Sequence, residues 1–266
     1  MIRRLKEGDR RAAVDFLNRE PEMNLYLLSD IRNYGFNGEH RDVYGEFKDG
    51  RLRAVAGRNR SQITYYCEDR AFNDAWVDVF NRHEFLFLSA KTDLMQDIKP
   101  HYPGVHEDRM DFMKTTSFTP DETIDYSDVR VLSTKEEAGA VYDMLKTIEE
   151  LYTVHKRSKS EFIDYLYDNS GGNGTTVYIE RDGFIVASAS AVFESDHSAM
   201  IVAVATRKAY RKMGYGKKVL HYLMDLYVNQ KGKTLCLYYD DPRAENLYKQ
   251  LGFTDIGRWS MLVMDT

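Results

Sequence analysis

Between Arg207 and Lys218 the chain sets Arg207, Lys208, Arg211, Lys212, Lys217 and Lys218 around two glycines, in the order Arg211-Lys212-Met213-Gly214-Tyr215-Gly216-Lys217. An apolar, strand-like run, Ala199 to Thr206, leads into this turn. A long amphipathic run, Tyr215 to Val228, leaves it, with Val219, Leu220, Leu223, Leu226 and Tyr227 on one stripe. Strand, basic glycine-rich turn, helix is a recipe for holding phosphate. The first-turn amides of a helix lack internal partners, and the helix dipole places positive potential beside them. Glycine lets backbone approach a ligand closely, and arginine can grip phosphate with two parallel hydrogen bonds. Taken alone, the glycine pair is equally compatible with turn geometry and the basic run with a solvated face. Two familiar phosphate fingerprints are excluded: the turn is neither GxxxxGK[ST] nor GxGxxG.

The elements that must position this turn recur in two halves. In the first, Ile2–Leu5 reads as a strand, Asp9–Asn18 and Pro21–Tyr34 as helices, and Asp42–Phe47, Arg51–Gly57 and Gln62–Cys67 as strands. Helix Asn73–Phe80, strand Phe85–Ala90, helix Thr92–Ile98 and strand Glu107–Thr115 follow. In the second, strand Val129–Leu132 precedes helices Lys135–Ile148 and Ser160–Tyr167, then strands Thr175–Arg181, Phe184–Phe193 and Ala199–Thr206. The half closes with helix Tyr215–Val228, strand Thr234–Tyr239, helix Pro242–Leu251 and strand Ile256–Val263. Asp49-Gly50 and Asp182-Gly183 fall at the same place in each half, between the first two strands of a triplet, and both are hairpin signals. The shared order predicts two copies of one mixed α/β fold, residues 1–115 and 128–266, joined by 116–127 with its loop formers Ser117, Pro120 and Asp121.

The spacing Arg211-x-x-Gly214-x-Gly216 on a turn leaving an apolar strand resembles the coenzyme A pyrophosphate loop of the GNAT acetyltransferase superfamily, Gln/Arg-x-x-Gly-x-Gly/Ala. A second segment, Asp241 to Phe253, resembles the family's Asn-x-x-Ala-x-x-x-Tyr-x-x-x-Gly-Phe: Ala244, Tyr248, Gly252 and Phe253 match, and Asp241 replaces the usual Asn. The resemblance covers roughly Val129 to Met264 and implies an α/β fold, two tandem GNAT-like domains, each with a mixed, mostly antiparallel sheet flanked by helices. It also implies a degenerate first copy, because Glu68-Asp69-Arg70-Ala71-Phe72 after the matching strand has no glycine and no basic cluster. Arg32-Asn33-Tyr34-Gly35-Phe36-Asn37-Gly38 begins like the motif but sits at a helix end, where Asn and Gly are ordinary caps.

The resemblance further implies direct transfer of an acetyl group from acetyl-CoA, as co-substrate, to an amine. Arg211, Lys212, Met213, Gly214, Tyr215, Gly216 and Lys217 would hold the coenzyme, and Val202 and Val204 would bind its pantetheine arm through backbone. The Val204 N–H would polarise the thioester carbonyl, and Tyr248 would protonate the leaving thiolate. Glu149, Glu150, Glu194, Asp196 and His197 read as solvated helix-end or turn charges, with Glu150 a weak candidate for contact with the acceptor. Tyr248 also fits a plain packing stripe with Ala244, Leu247 and Leu251.

Bulk properties narrow the remaining classes. The 266 residues are 43% hydrophobic with a net charge of -5, which suits globular cores and argues against a general nucleic-acid binder. The two cysteines, Cys67 and Cys236, form neither a disulfide framework nor a metal spacing and read as buried structural thiols, so no metal is expected. No apolar segment follows Met1-Ile2-Arg3-Arg4-Leu5 as in a secretory leader, and no run is long enough to span a bilayer. The expectation is a soluble cytoplasmic enzyme acting on a primary amine of a small or amino-acid-like acceptor, with a homodimer among the allowed assemblies. Two other readings stay open: a non-catalytic acyl-CoA-binding sensor, and acetylation of a protein amine.

Overall fold

The computed structural model describes residues 1–38, 40–156, 158–170, 173–240 and 242–264. It divides into two compact units. The first comprises Met1–Met113, Tyr238–Leu247 and Asp255–Thr266, and the second Lys114–Leu237 and Tyr248–Thr254.

The first unit begins with β1 (Ile2–Arg4), α1 (Arg10–Leu17), α2 (Leu25–Tyr34), β2 (Asn37–Gly38), β3 (Arg41–Lys48), β4 (Arg51–Asn59) and β5 (Gln62–Cys67). It continues with α3 (Ala75–Phe80), β6 (Phe87–Lys91), α4 (Thr92–Ile98) and β7 (His106–Thr115). Period-2 alternation divides β4 and β5 between two cores. Val55 and Tyr66 join Phe16, Leu17, Leu27 and Ile31 of the first two helices. Ala54, Ala56, Tyr65 and Cys67 join Trp76, Phe80, Leu94 and Ile98 on the other face. Beneath the second core Glu46 is buried, and its carboxylate accepts from Trp76 Nε1, Asn73 Nδ2 and Arg53 Nη1, each at 2.9 Å.

The second unit holds β8 (Val129–Val131), α5 (Lys135–Leu145), α6 (Tyr152–His155), α7 (Lys159–Ser170), β9 (Thr175–Arg181), β10 (Phe184–Val192) and β11 (Ser198–Thr206). After them come α8 (Tyr215–Met224), extended by a wider π turn over Asp225–Gln230, and β12 (Thr234–Tyr239). The helix α9 (Pro242–Gln250) and the strand β13 (Thr254–Val263) end the chain. Within this unit the strand order is β12-β11-β10-β9-β8. One face carries Val141, Leu145, Phe162 and Leu166 against Tyr178, Ile185 and Ala205. The other is covered by α8, whose Val219, Leu220, Leu223 and Met224 are buried. A capping box starts α5: Glu137 N–H donates to Thr134 Oγ1 at 3.1 Å, and Thr134 N–H to Glu137 Oε2 at 3.0 Å.

Both Asp-Gly pairs form the tight hairpins expected of them. Asp49 and Gly50 have φ of 50° and 75°, and Asp182 and Gly183 have 53° and 78°, the doubly positive pattern of a type I′ turn. Helix α2 starts at Leu25 rather than Pro21, and α6 had no separate sequence signal. The last strand in the chain's order, β13, pairs antiparallel with β6 from Trp259↔Lys91 to Val263↔Phe87, so its core residues Trp259 and Leu262 belong to the first unit. Among the described residues no helix is long and apolar enough to cross a membrane.

Candidate active site

The site is built on a broken strand. β11 pairs antiparallel with β10 and parallel with β12, but the parallel ladder runs only from Ser198↔Thr234 to Ile201↔Leu237, although β11 continues to Thr206. On the β10 side the register shifts where Ala203 and Val204 together oppose Ala189. Ala203 has φ 53°, left-handed backbone that a non-glycine residue rarely adopts. This bulge re-aims the backbone of Val202 to Val204 at the point where β11 leaves the ladder with β12. Val202 and Val204 are half-buried.

The turn after β11 is shaped residue by residue. Arg207 anchors it, its backbone N–H donating to Val186 O at 2.9 Å and its Nε to Ile185 O at 2.7 Å. A 3-10 turn spans Lys208–Tyr210, Arg211 is extended, and Lys212 and Gly214 are left-handed at φ 65° and 85°. Gly214 is the N-cap of α8 and its carbonyl accepts from Lys218 N–H at 2.9 Å. The two glycines serve different needs. A Cβ on Gly214 would meet nothing within 4 Å, so its positive φ is what requires glycine and the space beside it stays open. A Cβ on Gly216 would lie 2.9 Å from Thr206 Oγ1, so glycine there lets α8 close onto the end of β11. Arg211, Lys212, Met213 and Gly214 are exposed, Tyr215 and Gly216 partly so. Backbone donors, a helix N-terminus and cations therefore meet at one exposed turn, a fit for a diphosphate.

The loop cations hold carboxylates. Arg211 Nε donates to Thr206 O at 3.2 Å, and its two terminal nitrogens reach Glu150 at 3.2 and 3.4 Å. Lys217 Nζ donates to Asp121 Oδ2 at 3.2 Å. The next residue, Lys218, shares Asp128 with Arg181, whose guanidinium lies 5.2 Å from the Tyr215 ring centre. The segment that reads as a connecting loop is a strap along α8. Phe118 meets His221 edge-on at 5.1 Å, Tyr126 meets Tyr222 at 5.9 Å, and Asp121 and Asp128 take Lys217 and Lys218. His221 is 3% exposed and neither ring nitrogen has a partner among the described residues. Burial, then Lys217 nearby, pushes its pKa down, with Asp121 opposing.

Tyr248 is half-buried on α9, its ring 5.9 Å from Phe253. Its carbonyl accepts from Leu251 and Phe253 N–H, each at 3.0 Å, and Gly252 takes φ 86° to end the helix. Asp241, the motif's substituted position, lies outside the described residues. Glu194, expected as a solvated turn charge, is instead buried: it accepts from Lys233 at 2.6 Å, Lys231 at 3.1 Å and Tyr227 OH at 3.0 Å. Burial raises its pKa, but the two lysines outweigh that and lower it, so it is a poor proton acceptor. Asp196, His197 and Glu149 are exposed, as expected. Both cysteines are buried and neither is in a disulfide, and the Cys67 thiol is pushed up to about 11, chiefly by desolvation. No cluster of three or more potential metal ligands occurs among the described residues.

The corresponding turn of the first unit is built differently. After β5, Asp69 accepts from Arg53 at 3.0 and 3.1 Å and from Ala71 N–H at 3.2 Å, so a carboxylate of the chain itself sits where the second unit presents cations. The β5–β6 ladder ends at Thr64↔Ser89, and beyond it Glu20 accepts from Tyr66 OH at 2.7 Å and from Lys91 at 2.9 and 3.0 Å. Gly35, in the stretch that begins like the loop motif, ends α2 with φ 72° and donates to Ile31 O at 3.1 Å, an ordinary helix cap.

Comparison with known proteins agrees with this geometry. Residues 140–253 match the model of the Acetyltransferase (GNAT) family. No curated protein sequence matches the chain. A GCN5-related N-acetyltransferase-like protein from Streptococcus suis is similar in structure, with TM-score 0.61, 14% identity and coverage of 97% of this chain and 99% of that one. A GCN5-related N-acetyltransferase from Sphaerobacter thermophilus gives 0.63 at 14% identity over 98% and 94%. A tandem GNAT protein from the clavulanic acid biosynthesis pathway gives 0.57 at 11% identity over 99% and 98%. Residues 140–253 are thus a GNAT acetyltransferase family domain, in a chain whose fold along its length is that of GNAT proteins, a tandem one among them.

Proposed function

We propose that the chain is an acyl-CoA-dependent N-acyltransferase that moves an acetyl group from acetyl-CoA to a primary amine of a small or amino-acid-like acceptor. The observation that carries this reading is the turn at Arg211–Lys217: left-handed Lys212 and Gly214, open space beside Gly214, and cations at the start of α8, directly after the bulge of β11. In this account the first-turn amides with Arg211, Lys212 and Lys217 hold the pyrophosphate, and Met213, Tyr215 and Gly216 shape the cradle. Backbone groups of Val202 and Val204 bind the pantetheine arm. The Val204 N–H stabilises the oxyanion as the amine adds to the thioester carbon, an interaction of a kind that contributes about 10²–10³-fold. Collapse of that intermediate breaks the C–S bond, and Tyr248 gives its proton to the departing thiolate. The amine reaches the thioester deprotonated, through water or a group on the acceptor side. The repeats proposed are residues 1–115 and 128–266 joined by 116–127, with the second repeat catalytic and the protein cytoplasmic.

The test is thiol release from acetyl-CoA with a panel of small amines, amino acids and peptides. Tyr248→Phe keeps the ring against Phe253 and removes only the hydroxyl. A fall in kcat of about a hundredfold supports the assignment; an unchanged kcat removes it. Coenzyme binding without turnover on any amine supports a sensor instead.

A further inference from the structure

Both outer cations of the turn are already committed to carboxylates from different segments of the second unit. Arg211 faces Glu150 with both terminal nitrogens, and Lys217 faces Asp121. The division of labour in Asp121 is specific. Its Oδ1 accepts from Thr123 N–H at 3.2 Å and from Thr123 Oγ1 at 2.6 Å, which closes its own turn, while Oδ2 is the oxygen turned to Lys217. Arg211 is likewise held in place from behind by its bond to Thr206 O, so its fork points at Glu150. These pairs sit in solvent, with side chains 36–61% exposed, and are not structural ion pairs of a core. They are weak enough to exchange.

We propose that Asp121 and Glu150 are internal counter-anions of the phosphate turn, displaced from Lys217 and Arg211 when coenzyme phosphates bind. This rests on the acyl-CoA reading above and adds a regulatory property to it. The two carboxylates keep the turn's cations ordered and compensated, at the cost of competing with the ligand. A phosphate wins the exchange because it carries more charge and meets the helix N-terminus and the turn amides together, which neither carboxylate does. By reciprocity, binding of coenzyme frees the two segments that carry Asp121 and Glu150. Removing either carboxyl charge while keeping its shape should therefore tighten coenzyme binding. A purely structural role predicts the opposite sign.

The experiment is calorimetric titration of the full-length protein and of Asp121→Asn and Glu150→Gln, each with coenzyme A and with pantetheine, which lacks every phosphate. Asn at 121 keeps an oxygen for the Thr123 turn, and Glu150 is an exposed site, so both variants test charge rather than folding. The expected result is coenzyme A affinity higher by about two- to fivefold in each variant, the size of an exposed ion pair, with pantetheine affinity unchanged. Unchanged or weaker coenzyme A binding in either variant overturns displacement at that cation, and an equal gain for pantetheine overturns the phosphate competition. Failure of the unaltered protein to bind coenzyme A at all would overturn the acyl-CoA reading and this inference together.

Discussion

Gly214→Ala isolates the backbone demand of the turn before α8. Gly214 sits at φ 85°, ψ -6°, and an added Cβ would meet no atom within 4 Å. No clash enters the sum, and the strain of left-handed backbone for alanine, about 1–2 kcal/mol, is the main cost. Alanine also stiffens the unfolded chain, which offsets about 0.4–1 kcal/mol of this. The net expectation is destabilisation of about 1 kcal/mol, read as a lower urea midpoint at unchanged slope. Gly214→Asn should recover most of it, since asparagine tolerates this region. The neighbouring glycine gives the contrast. Gly216 lies inside α8, where alanine would ordinarily stabilise by about 1 kcal/mol, but its Cβ would stand 2.9 Å from Thr206 Oγ1. Gly216→Ala should gain nothing alone and should gain when combined with Thr206→Ala. Stabilisation by Gly214→Ala, equal behaviour of Ala and Asn at 214, or additive effects at 206 and 216 would refute the reasoning about this turn.

Two further outcomes follow from buried polar groups. His221 has a lowered pKa, so the unfolded chain takes up a proton near its ordinary value of about 6.5 while the folded protein does not. Stability from this group is present above that value and declines as pH falls below it. His221→Phe should flatten the loss of melting temperature between about pH 6.5 and 5, and an unchanged slope would show the ring is not held neutral. In the first unit, burial pushes the Glu46 carboxyl up, but bonds from Asn73, Trp76 and Arg53 prevail and hold it ionised. Glu46→Ala leaves the buried Trp76 indole N–H and the Asn73 amide without their acceptor, while Arg53 keeps Asp69, and should cost about 2–3 kcal/mol in denaturant titration; a cost under about 1 kcal/mol would place these groups in solvent.

The geometry of the turn between β11 and α8 was legible because residue type alone constrains it: glycine where φ must be positive and cations beside a helix start. The Asp-Gly hairpins were legible for the same reason. The bulge at Ala203 was not, since nothing about alanine announces left-handed backbone; the fold imposes it. The seat of β13 was hidden too, because alternation specifies which face of a strand is buried, not which strand lies beside it. The strap was visible only as loop formers. Phe118, Asp121, Tyr126 and Asp128 gain meaning from Lys217, His221, Lys218 and Tyr222, two i, i+4 pairs on α8 whose partners lie some ninety residues earlier. Glu194 was misread because the lysines that bury its charge, Lys231 and Lys233, arrive from a distant turn.

The central claim is that the turn at Arg211–Gly216 is the coenzyme site of this chain. Calorimetric titration of coenzyme A into the protein, beside Arg211→Glu and Gly214→Glu variants of verified fold, tests it most directly. The account predicts one site per chain, because Asp69 and the Glu20–Lys91 pair fill the corresponding places of the first unit. It predicts affinity lower by about ten- to a hundredfold in either variant, the worth of a charge-assisted hydrogen bond replaced by repulsion. Two sites per chain, no binding, or affinity unchanged in the two variants would contradict it.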